Sequence, residues 1–253
     1  MSVGHSDVKL PHPDWIVPDW PAPPNVKALI TTRAGGISKG PFASLNLGLR
    51  TGDDPQAVAA NRDRLNSLLP QQPKWLRQVH GASVVEADAL AGRPEADAGI
   101  ARRPGTVCAV LVADCIPVLL ADGDGTTVAI AHAGWRGLAG GVIENTARRM
   151  AIDPRALIAY LGPGIGPRAF EVGADVRDAF LARDADAAAA FTPHVAGKWL
   201  ADLFLLARQR LQRAGVGAIH GGTLCTFSDA QRFFSYRRER RTGRMAALIW
   251  RSE

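Results

Sequence analysis

The chain has 253 residues, 47% of them apolar and 21% charged, with a formal net charge of +6. That mixture is globular, no stretch approaches the ~20 consecutive apolar residues of a membrane span, and the length suits one large domain or two small ones. Three widely spaced cysteines, Cys108, Cys115 and Cys225, argue against a disulfide framework and fit reduced thiols.

In chain order, residues 1–24 are expected to form an extended arm, because Pro11, Pro13, Pro18, Pro21, Pro23 and Pro24 forbid a helix there. Trp15, Ile16 and Trp20 are expected to tack the arm to the body. The segment lacks the basic start and apolar run of a secretory signal, which points to a cytoplasmic protein. Residues 25–253 then read as a single domain. Val26 to Thr31 suits a strand, and Arg33 to Pro41 is a glycine-rich turn able to offer backbone N–H groups to an anion. Asp54 to Leu69 has Val58, Leu65 and Leu69 at helical spacing. Short β-branched runs predict strands at Val107 to Val112, Pro117 to Ala121 and Thr127 to Ala131. A helix is predicted over Gly137 to Met150, a strand over Ala156 to Leu161, and a Gly/Pro loop over Gly162 to Pro167. Helices follow after Asp175, over the alanine-rich Ala185 to Ala190, and over Trp199 to Arg213, before a last strand at Met245 to Trp250. Helices and strands mix without a strict β-α-β repeat, which predicts one α/β domain with a mixed sheet. The densest basic run is Arg237, Arg238, Arg240, Arg241 and Arg244. Because it contains Glu239 and precedes an apolar strand, it reads as a solvated turn with one anion-binding arginine rather than a nucleic-acid surface.

The chemistry-bearing residues gather around a hairpin. If Asp122-Gly123-Asp124-Gly125 closes it with a two-residue or symmetric four-residue loop, paired positions sum to 247 and Cys115 lies opposite His132. Opposed residues share a sheet face at Cβ separations of roughly 4.5 to 5.5 Å, which one metal ion or one hydrogen bond can span. His80, followed by Gly81 at a predicted strand end, is the best third candidate. Two histidines and a cysteine suit Zn²⁺ with one position left open, and Cu²⁺ could also bind them. The sequence gaps of 35 and 17 residues match no short metal signature. His5, His12, His194 and His220 have no comparable neighbours and read as non-catalytic.

Several stretches carry a resemblance: TTRAGGIS with SLNLG, RQVHGASV, EADAGIA, VADCIPVLLAD, AIAHAGWRGLAGGVI, LGPGIGP with FEVG, and SYRRERRTGRMAALIW. With these the chain resembles the YfiH-type family, also called the laccase-domain or peptidoglycan-editing-factor family of purine nucleoside phosphorylases. The resemblance spans nearly everything from Trp15 onward. It implies a four-layer α/β/β/α sandwich with mixed sheets, and a metal-binding catalytic cluster of His80, Cys115 and His132. Where the family commonly has DADALVT this chain has EADAGIA, which keeps Asp97.

The resemblance also implies phosphorolysis of adenosine, inosine and S-methyl-5′-thioadenosine, and deamination of adenosine. Phosphorolysis needs an anion site, for which Arg33, Asn46, Arg136 and the loop around Gly164 are candidates; Asp114 is a further one, as an acid or a group orienting a ligand histidine. Three rival readings follow. The family's older label, a copper-dependent polyphenol oxidase, sits badly with six histidines of which two belong to the cluster. A cysteine hydrolase with Cys115 as nucleophile and His132 as base suits the family's kinship with deamidase toxins and its editing of the UDP-MurNAc-peptide precursor. A basic binding module is the third.

Overall fold

A computed structural model describes residues 12–253. The start of the expected arm, with Pro11 and His5, lies outside the described residues. Of the rest, Trp15 is buried, Ile16 forms an antiparallel bridge with Ile30, and Trp20 packs edge-on against Tyr160.

The first strand, β1 (Val26–Ile30), leads through the glycine-rich turn to α1 (Pro55–Asn66), whose N-cap Asp54 accepts the Gln56 N–H. Short strands β2 (Lys74–Trp75), β3 (Val84–Glu86) and β4 (Ala98–Ala101) precede β5 (Cys108–Val112) and the hairpin β6 (Ile116–Asp122) and β7 (Val128–Ala133). The predicted helix over 137–150 is two helices, α2 (Trp135–Gly140) and α3 (Val142–Met150), because Gly141 at φ 91° terminates one and starts the other. After β8 (Leu157–Leu161) come β9 (Glu171–Val172), α4 (Ala174–Leu181) and a 3₁₀ turn over Ala185–Ala190. The helix predicted to start at Trp199 starts later. Residues Trp199–Ala201 form β11, paired with β10 (Phe191–Pro193) and with β9, and the Asp202 carboxylate caps α5 (Leu203–Arg213) by accepting the Leu205 N–H. The chain ends through β12 (Ala218–Gly221), the short α6 (Tyr236–Glu239) and β13 (Met245–Arg251).

Two mixed sheets lie face to face. One has the order β1-β13-β5-β2, the other β12-β8-β6-β7-β4-β3. Between them, Ile30, Val110, Val112, Met245 and Ile249 of the first meet Leu119, Val128 and Ile130 of the second. On the outer face of the four-stranded sheet, Leu29, Val107 and Leu248 pack with Leu65 of α1 and with Leu45 and Leu47. On the outer face of the six-stranded sheet, Val118, Leu120, Ala129 and Ala131 pack under helices α2 to α5 through Leu138, Ile143, Phe180 and Leu206. This is a four-layer α/β/β/α sandwich. Each fully buried Leu or Ile in these layers contributes about 1.5–3 kcal/mol, and together they make a rigid frame for the strand ends. Among the described residues no helix is long and apolar enough to cross a membrane.

The hairpin register differs from the expectation by two residues. Pro117, not Cys115, lies opposite His132, and Val118 lies opposite Ala131. The reason is the turn: the Asp122 carboxylate accepts both the Thr127 N–H at 2.7 Å and the Thr126 hydroxyl at 2.7 Å, so the loop runs one residue further on each side of Asp124-Gly125. A slip of two preserves which face each residue occupies. Cys115 consequently sits just ahead of β6, on a bend that Asp114 makes at φ 96°.

Candidate metal centre

The thiol of Cys115 and the imidazoles of His80 and His132 converge, with one ligand atom from each within 4.8 Å of the others. His132 comes from β7 and is 3% exposed; Cys115 is half-buried and His80 exposed. The two imidazole rings stand edge to face at 4.9 Å between centroids.

His80 is in a loop rather than at a strand end, at φ 60°. What holds it there is Asp97, which is fully buried. The Asp97 carboxylate accepts the backbone N–H groups of Val79 (3.1 Å), His80 (3.0 Å) and Gly81 (2.7 Å), so the whole turn hangs from one side chain. The same carboxylate accepts from Nδ1 of His132 at 2.9 Å. An ionised carboxylate only accepts, so His132 carries its proton on Nδ1 and leaves Nε2 for the cluster. Burial alone would raise the Asp97 pKa, but the hydrogen bonds from His132 and from Gly81 and Val79 hold it below the ordinary carboxylate range.

In the metal-free protein the thiol and imidazole share a proton. Burial works against either charge, yet His132 and His80 together draw the Cys115 pKa down to about 6. Burial likewise opposes a charged His132, but the Cys115 thiolate and Asp97 raise its pKa to about 9. The pair is therefore a thiolate and an imidazolium near neutral pH. That makes Cys115 both a competent metal ligand and a competent nucleophile.

The donor set fits a zinc ion. Tetrahedral bonds of about 2.0–2.3 Å place ligand atoms roughly 3.3–3.8 Å apart, which small side-chain adjustments reach from the present spacing. Gly134 keeps the space clear: a Cβ there would stand 2.7 Å from the Cys115 sulfur and 3.3 Å from Cδ2 of His80. Its φ of −77° is open to any residue, so glycine is needed here for room and not for conformation.

The cluster lies in the wall of a cavity of about 610 Å³, within the range of ordinary ligand pockets. Asp114 and Arg136 line it as well. Asp114 does not orient a histidine, however; its carboxylate accepts the Thr226 hydroxyl at 2.6 Å and the Arg237 backbone N–H at 2.7 Å. It thereby ties the start of α6 to the bend that carries Cys115. The other three candidates are not brought to the cavity. Arg33 donates to the carbonyls of Ala43 and Ala230, pairs with Glu239 and stacks over Phe234. Three N–H groups at the middle of its glycine-rich turn are also spent: Gly36 on the Ser44 hydroxyl, Ile37 on the Asn61 side chain and Ser38 on the Ser44 carbonyl. Asn46, fully buried, donates to Thr51 and Asp53 and accepts from the N–H groups of Gly48 and Arg244. Gly164 is buried in a bridge beside Cys225, and its loop reaches the cavity only through the apolar side of Ile165.

In their place the cavity gathers two arginines of the basic run and two that no sequence motif marked. Arg50, Arg93, Arg237 and Arg244 join Arg136 in the lining, with Trp135, Phe170 and Tyr236 beside them. The basic run is thus more than a solvated turn, since two of its arginines face the site. Arg244 is half-buried, and burial lowers its pKa despite the neighbouring Cys115 and Asp114.

A family model described as multi-copper polyphenol oxidoreductase laccase matches residues 27–252. The chain belongs to this family. The Pseudomonas aeruginosa protein PA4543, named a purine nucleoside phosphorylase, is 54% identical over 93% of the chain and 98% of its own length. Escherichia coli YfiH, with the same activity in its name, is also 54% identical over the same shares. Among solved structures, Neisseria meningitidis NMB0706 superimposes with a TM-score of 0.92 at 52% identity, covering 95% of this chain and 100% of that one. YlmD from Geobacillus stearothermophilus does so at 0.82 and 33%, covering 91% and 93%. The fold expected from the resemblance is the fold observed.

Proposed function

We propose that the chain is a purine nucleoside phosphorylase, taking adenosine, inosine or S-methyl-5′-thioadenosine with inorganic phosphate to the free base and the ribose 1-phosphate, and that it also deaminates adenosine at the same site. One observation carries this reading: an open two-histidine, one-cysteine cluster set in the wall of an arginine-lined cavity with three aromatic side chains. The names of the relatives supply the substrate class.

His80, Cys115 and His132 would hold Zn²⁺, with Cu²⁺ the alternative for the same donors. When bound, the metal supplies Lewis acidity beside the cavity. The chain's own residues account for the rest. Asp97 orients His132 through Nδ1 and aims the His80 turn, so both ligands need only small adjustments on binding. The arginines bind and orient phosphate through paired N–H donors. Trp135, Phe170 and Tyr236, each with an arginine over one ring face, give the cavity apolar surface that packs beside the purine and excludes water from the glycosidic bond. Cys115 must remain reduced for this, which fits three free cysteines and a cytoplasmic setting.

A cysteine hydrolase is the second reading, favoured by the lowered Cys115 pKa and by the Cys115, His132 and Asp97 series of contacts. Incubating the zinc-loaded protein with adenosine, with and without phosphate, separates the chemistries. Adenine and ribose 1-phosphate formed only with phosphate support phosphorolysis, and inosine formed in either case supports the deaminase activity. If neither product forms, the proposed function fails and the hydrolase reading takes its place.

A further inference from the structure

The cavity holds more positive charge than a neutral nucleoside and one phosphate can use. Among the described residues, Arg50, Arg93, Arg136, Arg237 and Arg244 line it without a carboxylate partner; Arg77, also in the lining, is paired with Glu95. Asp114 is the carboxylate of the lining, and it already accepts from Thr226 and the Arg237 backbone.

Three of the five guanidiniums are held in place without exhausting their donors. Arg136 lies over the Trp135 ring at 4.4 Å, Arg237 over Phe170 at 5.2 Å, and Arg244 over Tyr236 at 5.7 Å. Arg237 spends one nitrogen on the Glu171 carbonyl, and Arg244 one on the carbonyls of Thr242 and Gly243. The remaining N–H groups of these two, and the whole side chains of Arg50, Arg93 and Arg136, have no hydrogen-bond partner among the described residues. Stacked guanidiniums with free edges are suited to receiving oxyanions.

A phosphate group carries about −1.5 to −2 charge near neutral pH. One inorganic phosphate balances about two of these guanidiniums and Asp114 one, which leaves two for a second anionic group. We infer that the cavity also takes nucleoside 5′-phosphates, with some of these arginines on inorganic phosphate and the others on the 5′-phosphate. This deepens the phosphorolysis reading and rests on it for the chemical step. In that step the C1′–N9 bond of the nucleoside 5′-phosphate breaks with its electron pair going to N9. A phosphate oxygen forms the new bond to C1′, and the proton of the attacking dihydrogen phosphate ends on the purine. The products are the free base and ribose 1,5-bisphosphate.

The test compares 5′-AMP with adenosine on the zinc-loaded full chain. Phosphorolysis is followed by chromatography of adenine and the sugar phosphates, and binding is followed separately by calorimetry without inorganic phosphate. The expected result is kcat/KM at least about tenfold higher for 5′-AMP, with correspondingly tighter binding that weakens as salt is raised. In Arg136→Gln and Arg50→Gln the ratio of the two kcat/KM values should fall severalfold toward one. Adenosine turned over with 5′-AMP bound no more tightly would overturn the inference and leave the proposed function standing. Tighter binding of 5′-AMP with no phosphorolysis of either compound would support the anionic subsite while removing the proposed function. Weak binding and no turnover of both would overturn the two together.

Discussion

Replacing Asp97 by asparagine changes almost no volume but removes half of what the residue does. The carboxylate accepts four hydrogen bonds, two on each oxygen: His80 N–H and His132 Nδ1–H on one, Val79 N–H and Gly81 N–H on the other. Asparagine has one acceptor oxygen, and its amide nitrogen would face two N–H donors. If the oxygen stays with His132, the turn loses its hold at Val79 and Gly81; if it flips, both histidines are released. Each lost bond to an ionised acceptor is worth about 1.5–3 kcal/mol. Val79 is exposed and Gly81 half-buried, so water recovers part of that, and a net loss of about 2–4 kcal/mol is expected. Against a total stability of about 5–15 kcal/mol this leaves a folded protein with misaligned ligands. Zinc affinity should drop by about 10- to 100-fold. Urea denaturation gives the first quantity and competition with a chromophoric chelator the second. An Asp97→Asn protein with zinc affinity within about twofold of the parent would refute the idea that one carboxylate aligns both histidines.

Gly134→Ala should fold, since its backbone angles suit alanine, but the new Cβ would push the Cys115 sulfur aside; zinc stoichiometry well below one with an unchanged circular dichroism spectrum is the expected outcome. Zinc affinity should rise with pH. His132 must lose the proton that its raised pKa of about 9 retains, so affinity climbs about tenfold per pH unit between about 6 and 9 and levels off above, with a steeper fall below 6 where the Cys115 thiolate is protonated as well. A flat profile from pH 6 to 9 would show that no such proton is displaced. Arg33→Lys keeps the charge but loses the fork that reaches Ala43 and Ala230, and should cost about 1–2 kcal/mol of stability with an unchanged KM for phosphate. A tenfold higher phosphate KM would instead make Arg33 an anion-binding residue.

How much of this was legible in the sequence depended on how local the cause was. The layers follow from short apolar runs, and Cys115 and His132 are brought to one place by a hairpin whose face alternation survives a two-residue error in register. That error came from the Asp122 side chain, which chooses its turn partners in three dimensions. The break at Gly141 and the late start of α5 at Asp202 are local signals, a left-handed glycine and a carboxylate cap, that apolar periodicity overrides when read alone. Asp97 was visible only as a residue kept from the family motif. Its role arises from N–H groups 16 to 18 residues away, which no spacing rule reports. The arginines that line the cavity come from loops near residues 50 and 93, from α2 and from the C-terminal segment. Conversely, Arg33 sits in a glycine-rich turn that looks ready to bind an anion, but Gly36, Ile37 and Ser38 of that turn already donate their N–H groups to Ser44 and Asn61.

If His80, Cys115 and His132 hold one metal ion, zinc binding depends on each of them. Zinc content of the purified chain, measured beside that of His80→Ala, tests it most directly. About one zinc per chain in the parent and little in the variant is the expected outcome. Equal zinc in the two proteins would contradict it, because His80 would then not be a ligand at all.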